Sequence, residues 1–227
     1  MKKLLLSLMV MLAIVPSAQA VELLDTDSPA KFFNLGFRIG VNTSNRTFPT
    51  QPYMTYNKNS WGTGFNVGVV GNLNLKEYLS IQPGIFFDSR SGDYSYNYTL
   101  PDGLDRADMG HYRTYDFTVS VMAVVKIQPL KFMKVSAEFG PYLQFYMKKT
   151  GSEIPVYYQV LSEGAPLFAS YGAEYKKFDF GFKMGAGVQV LDHYYFGIHY
   201  LAGALHAWTH PGGGHNKSWM FTLGYDL

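Results

Sequence analysis

The residues of this chain best suited to bond-making chemistry fall in two stretches that lack strand-like alternation. His206, His210 and His215 lie within His-Ala-Trp-Thr-His-Pro-Gly-Gly-Gly-His. Imidazoles ligate zinc, copper or nickel, but the stretch holds no acid to serve as a further ligand or to orient a ring from behind. Pro211 and the glycines make turns, so a solvated loop accounts for the pattern. Asp105, Asp108 and His111 form the second group, an acid–base set of the kind proton transfer uses. Nothing in their spacing fixes a geometry, and neither G-x-S-x-G nor H-E-x-x-H occurs in the chain. With no cysteine present, thiolate zinc sites, disulfides and a lipid-modified Cys are excluded. The expectation is no catalytic residue, no metal and no cofactor.

A second set of charged residues sits within strongly alternating segments. Arg38, Glu138, Asp179 and Lys183 each lie among small polar residues on one face, with apolar residues on the other. Phe33, Leu35, Phe37, Ile39 and Val41 oppose Asn34, Gly36, Arg38, Gly40 and Asn42. The same period of two recurs over Trp61–Val69, Leu79–Asp88, Tyr115–Ile127, Val135–Phe145, Phe178–Gln189, Tyr194–Leu201 and Ser218–Leu227. A period of two marks strands with differently solvated faces. A soluble barrel would expose Lys and Glu on its polar face. Here Gly, Asn, Ser and Gln predominate, as suits the crowded interior of a narrow barrel. The polar face therefore points inward, and the four charges are expected to form an interior network that fills the lumen, because buried charges must be paired.

The N-terminus agrees with export. Met1-Lys2-Lys3 precedes an apolar run from Leu4 to Val15, then Pro16 and Ala18-Gln19-Ala20. This is a secretory signal pattern with cleavage after Ala20, and the run is too short to span a bilayer as a helix. Of 19 Lys+Arg and 17 Asp+Glu in the whole chain, Lys2 and Lys3 leave with the signal, so the mature chain balances at zero. Net charge gives no case for nucleic acid as a partner. The 18 Tyr, 17 Phe and 23 Gly beside 16% charged residues point to an all-β protein rather than a disordered one.

Connections alternate in length. Asn74–Tyr78, Gln128–Met133 and Leu191–His193 are short, whereas Ser44–Ser60, Ser91–His111, Lys148–Glu174 and His206–Lys217 are long. Short periplasmic turns and long extracellular loops are the asymmetry of outer-membrane barrels. Trp61, Tyr78, Tyr112, Tyr146, Tyr175, Tyr194 and Trp219 lie near strand ends, where interfacial aromatic girdles form. The expected fold is an all-β transmembrane antiparallel barrel of eight strands. Ten would result if Ile154–Leu161 and Leu167–Tyr171 crossed the membrane, but Pro155 and Pro166 argue for an extracellular hairpin. The expected organisation is a signal peptide over 1–20, a periplasmic lead-in over 21–31 and the barrel over 32–227.

Val135-Ser136-Ala137-Glu138-Phe139-Gly140-Pro141-Tyr142-Leu143 resembles a motif of the PorT-like outer-membrane β-barrel family. So do Phe178-Asp179-Phe180-Gly181, Gly185-Ala186-Gly187-Val188, Gly197-Ile198-His199-Tyr200 and the earlier Leu79-Ser80-Ile81-Gln82-Pro83-Gly84. The resemblance implies an eight-stranded outer-membrane barrel. PorT itself is tied to a secretion system, a role the family label does not transfer. The chain departs from the usual C-terminal assembly signal by ending in Leu227 rather than an aromatic, with Tyr225 two residues earlier.

The resulting expectation is a non-enzymatic scaffold in the outer membrane, surrounded by lipid, with Tyr94, Tyr96, Tyr98, Tyr157 and Tyr158 as contact area for a protein partner or as strand extensions. The alternatives are a small porin-like channel and an enzyme with an extracellular rim site.

Overall fold

The computed structural model describes residues 27–46, 54–99, 105–151, 155–162, 165–172, 176–205 and 214–227. In chain order the strands are β1 (Phe33–Arg46), β2 (Met54–Lys76), β3 (Leu79–Thr99), β4 (Asp105–Leu130), β5 (Met133–Gly151), β6 (Pro155–Ser162), β7 (Ala165–Gly172), β8 (Phe178–Val190), β9 (Tyr194–Gly203) and β10 (Asn216–Asp226). Eight of them close into a ring, β1-β10-β9-β8-β5-β4-β3-β2, with every neighbouring pair antiparallel. β6 and β7 pair with each other in a separate two-stranded sheet. The connection between β5 and β8 therefore carries a hairpin outside the barrel sheet, and the barrel has eight strands rather than ten.

The alternation read from the sequence sets the two faces. Phe37, Ile39 and Val41 on β1 point outward and are exposed, while Arg38 and Asn42, of the opposite parity, are buried in the lumen. The same holds for Val121 and Val125 against Ser120, Met122 and Val124 on β4, and for Phe221 and Leu223 against Met220 and Thr222 on β10. An apolar surface of this kind, wrapped round the whole barrel, is unstable in water and matched to hydrocarbon. Along β4, the ten-residue step from Phe117 to Ile127 spans roughly 25 Å at about 3.3 Å per residue and a tilt of about 40°, the height of the apolar band in such barrels.

Two prolines in barrel strands show how the ladders accommodate a missing N–H. Pairing of β2 with β3 runs Val70↔Gly84 and resumes at Leu73↔Ile81, skipping Pro83 without a change of register. Pairing of β4 with β5 likewise passes from Ser120↔Tyr142 to Ala123↔Phe139, skipping Gly140-Pro141. At Gly140 a side chain would collide with the carbonyl of Val121, so glycine is required for the two backbones to approach there.

Several expected loops are strand. β2 starts at Met54, β3 runs to Thr99 and β4 starts at Asp105, so most of Ser91–His111 belongs to a hairpin paired as far as Thr99↔Asp105. Tyr94, Tyr96 and Tyr98 are thus on β3, and Tyr157 and Tyr158 on β6. With 21 residues, β3 rises roughly 50 Å at that rise and tilt, about twice the apolar band. The pairings above Trp61↔Gly92 make β2, β3 and β4 a three-stranded wall. On the far side β1 ends at Arg46 and β10 begins at Asn216.

The aromatic girdles differ from expectation in membership. Trp61, Tyr194 and Trp219 face outward, but Tyr112 is buried in the lumen and Tyr146 turns inward to Asn216. Their positions have the parity of Thr114 and Gln144, which are lumenal, so proximity to a strand end was the wrong criterion. The upper band is built instead from neighbouring outward rings. Phe87 meets Phe65 and Phe117 at 6.1 and 5.8 Å, Phe145 meets Phe178 at 5.4 Å, and Tyr200 meets Trp219 at 4.9 Å. At the short-turn rim Tyr225 packs with Tyr194 and His193 at 5.6 and 5.4 Å. Tyr175 lies outside the described residues.

Val121 sits midway in the apolar band. Val121→Arg is expected to lower unfolding stability in lipid vesicles by about 2–4 kcal/mol, measured by urea titration. Thr43→Arg, near the upper edge, should change it by less than about 1 kcal/mol.

Candidate functional site

The lumen is where the chemistry-bearing side chains converge, because strand alternation sends them there. It is stratified along the barrel axis. In the extracellular half, Asp88 and Asp116 face each other in register on β3 and β4. Arg90 reaches the Oδ2 of Asp88 at 3.4 Å and donates through Nη1 to Gln144 Oε1 at 3.0 Å. Gln144 passes the connection on, donating to Asp116 Oδ2 at 2.8 Å, where Thr114 also donates at 3.0 Å. Thr118 donates to Asp88. Across the lumen, Asn216 donates to Asp179 Oδ2 at 2.8 Å and accepts from Arg46 Nε at 2.7 Å, and the Arg46 guanidinium stands 4.5 Å from the centre of the Tyr112 ring.

Below this layer the packing turns apolar. Tyr142, Leu201 and Met220 form a fully buried cluster, and Phe86, Met122 and Val70 are buried with similarly little exposure. Lys183 enters the same zone with its ammonium 4.5 Å from the centre of the Phe86 ring, a cation–π contact that partly replaces hydration.

The periplasmic half is polar again. Arg38 Nη2 meets Asp226 Oδ1 at 2.7 Å and its guanidinium lies 4.2 Å from the centre of the Tyr195 ring. Gln189 donates to Asp226 Oδ2 at 2.9 Å, Asn72 to Oδ1 at 3.5 Å, and Gln82 to Asn72 at 2.6 Å. Glu138 accepts from Ser136 at 2.8 Å and Tyr195 at 2.7 Å through Oε1, and meets His199 Nε2 at 2.8 Å through Oε2. An ionised carboxylate only accepts, so His199 carries its proton on Nε2.

The four charges singled out from the sequence are all lumenal and buried, but each engages a different partner. Arg38 binds Asp226 and Glu138 binds His199. Asp179 binds Asn216, and Lys183 lies over Phe86. Asp226, Asp88, Asp116 and His199 have the same inward parity and could have been found by applying it to every ionisable residue. Arg46 and Arg90 lie on strand ends longer than the hydrophobic alternation, and no sequence signal marked them.

The other candidates sit on the extracellular side. His111 Nδ1 is 2.5 Å from Asp93 Oδ1, across β3 and β4, with both side chains more than half exposed. Asp105 and Asp108 are on β4, and their side chains lie outside the description. His206 and His210 also fall outside the described residues, and His215 directly precedes β10. Among the described residues no three His, Asp or Glu side chains come together in a way that would hold a metal.

A closed eight-stranded antiparallel ring with an apolar exterior and a polar, packed interior is an outer-membrane β-barrel. Residues 18–206 match the family described as outer membrane protein beta-barrel domain, and the chain belongs to that family. Its barrel sits in the bacterial outer membrane. No curated protein matches the chain. Among solved structures it is similar to Ail, the attachment invasion locus protein of Yersinia pestis, at 12% identity and a TM-score of 0.43, covering 87% of this chain and 100% of that one. It is similar to OprG of Pseudomonas aeruginosa at 10% identity and a TM-score of 0.47, covering 87% and 97%. Neisserial surface protein A gives 9% identity and a TM-score of 0.40, covering 88% and 100%.

The Arg38–Asp226 pair predicts an unequal response to charge removal. Asp226→Ala strands a buried guanidinium and is expected to lower unfolding stability by about 3–5 kcal/mol. Lys134→Ala, which removes the rim contacts to Glu77 and Asp192 at 3.6 and 3.1 Å, should lower it by about 1 kcal/mol or less. Denaturant titration of refolded protein in micelles checks both.

Proposed function

We propose that the protein is a non-enzymatic scaffold of PorT-like type, anchored in the outer membrane, whose extracellular strands and loops contact a protein partner. The reading rests on the occupied lumen. The Arg90–Gln144–Asp116 layer, the Tyr142–Leu201–Met220 cluster and the Arg38–Asp226 and Glu138–His199 layer succeed one another along the axis. A barrel filled in this way has little room for solute flux. The tall β2–β3–β4 wall supplies surface for a partner beyond the membrane. The exported precursor loses residues 1–20, leaving Val21 as the mature N-terminus, 21–31 as the periplasmic lead-in and 32–227 as the barrel domain.

The porin-like alternative requires a water path past the apolar cluster. In planar bilayers the wild-type protein is expected to give no channel events. Replacing Tyr142, Leu201 and Met220 together by Ala should produce discrete openings, since removal of large buried side chains leaves cavity volume that does not fully collapse. Steady conductance from the wild type would overturn the filled-lumen reading. The rim-enzyme alternative would gain support only if a turnover were found that His111→Ala abolishes.

A further inference from the structure

The outward positions just above the apolar band are not alike around the ring. On β4 the outward series runs Phe117, Tyr115, Arg113. Tyr115 stacks on outward Phe87 at 6.2 Å, and pairing with β3 continues without a register shift, so Arg113 has the same outward parity. On β5, Lys148 lies opposite Tyr115 and Thr150 opposite Arg113. Arg113 and Lys148 are therefore diagonal neighbours on the outer face, about 7–8 Å apart. Two more cations directly precede β8. Phe178 packs on Phe145 at 5.4 Å, and the carbonyl of Lys177 accepts from the Tyr146 N–H at 2.9 Å. That bond holds Lys176 and Lys177 beside the upper end of β5. Lys148 and Lys177 are exposed, and Arg113 and Lys176 half-buried.

Depth decides what such a strip meets. Phe117 is the top of the apolar band on β4. At about 3.3 Å per residue and a tilt of about 40°, Tyr115 stands about 5 Å above it and Arg113 about 10 Å. The headgroup layer occupies about 5–8 Å beyond the hydrocarbon, and long cationic side chains bend to reach it. A protein partner approaching the tall β2–β3–β4 wall would meet its upper part rather than this strip. Among the described residues none of the four cations forms a salt bridge. The acid diagonal to Arg113 is Asp93, which is engaged by His111 at 2.5 Å. On the β1–β2 flank the corresponding outward residues are Thr43 and Thr63, directly opposite each other and neutral. The positive strip is thus confined to the β4–β5–β8 flank, at the level where outer-leaflet lipids present phosphates.

We propose that this strip is a docking site for the phosphate groups of the glycolipid in the outer leaflet, with Arg113 and Lys148 as its main contacts and Lys176 and Lys177 extending it toward β8. The planar guanidinium of Arg113 takes two phosphate oxygens at once, and Lys148 acts as a point charge beside it. Tyr115, Phe145 and Phe178 below them pack against the start of the acyl chains. The barrel then holds a preferred lipid on one flank, at the β4 side of the wall.

Backbone amide spectra of the full barrel in uncharged detergent micelles test this, with diphosphorylated lipid A as the titrant. Saturating shifts are expected at Arg113, Lys148 and Lys177, and none of comparable size at Thr43 and Thr63. Lipid A stripped of its phosphates should leave the three unshifted. Arg113→Gln and Lys148→Gln should each weaken the fitted affinity about fivefold, and together about thirtyfold. Lys131→Gln, in the turn between β4 and β5, should leave it unchanged. Heat-modifiable migration on gels shows that each variant is folded. An affinity that survives in the folded double variant overturns the proposal, as does an equal response to the dephosphorylated lipid. Shifts that never saturate overturn it too, since the cations are then answered by the protein's own loops. Tighter saturation of the same amides by phosphatidylglycerol overturns the assignment to glycolipid.

Discussion

A charged or polar side chain pointing into a lumen this narrow has no bulk water to fall back on, so another side chain must answer it. That constraint organises the molecule. It explains why Arg38, Glu138, Asp179 and Lys183 do not simply pair with each other: each is answered by whatever its own level of the barrel offers. Register decides those levels. Gly36 lies opposite Asp226 and Gly224 opposite Arg38. The absence of side chains at both glycines gives the guanidinium and the carboxylate their meeting space. Large and small inward residues alternate for the same reason, with Tyr142 lying over Gly181 and Tyr195 over Gly187 and Gly197.

The same constraint separates what could be read in the sequence from what could not. Strand identity and inward or outward parity were legible throughout, because a two-residue period in an apolar and polar pattern is a local property. Phe37 against Arg38, or Val121 against Met122, needed nothing else. The strand ends were not legible. Above the membrane both faces meet water and the apolar pattern fades while pairing continues: Tyr94, Tyr96 and Tyr98 still alternate with polar residues, which left strand extension and partner contact as the two readings, whereas Asp105–Tyr112 gave no hydrophobic signal. Tyr112 and Tyr146 were misplaced at the interface for a related reason: tyrosine serves equally in a girdle and in a polar core, and only parity tells them apart. Pairing partners within the lumen were out of reach because they depend on stagger between strands far apart in sequence, as with Arg38 and Asp226.

The two ends of the lumen carry different chemistry as a result. At the extracellular end the acids and bases lock into a chain through Gln144, which donates with one end of its amide and accepts with the other. At the periplasmic end the apolar packing gives way to the Arg38–Asp226 and Glu138–His199 contacts, and the segment just before β1 bonds to the end of β2 through the Asn74 N–H and the Phe32 carbonyl. The apolar cluster between them insulates one polar zone from the other.

The ring is closed by the first and last strands of the chain, β1 and β10, along eleven register pairs from Gly36↔Asp226 to Arg46↔Asn216. Every other junction joins segments much nearer in sequence, so this seam bridges by far the greatest span of chain. Loop-closure entropy places such a contact late in folding. Until the final strand arrives, the inner edge of β1 and the outer edge of β9 stay unpaired, and Arg38 has no carboxylate. Assembly in the membrane thus ends with one event that seals the last two edges and neutralises a buried charge together, and a chain stalled one strand short would be an open sheet exposed to its neighbours.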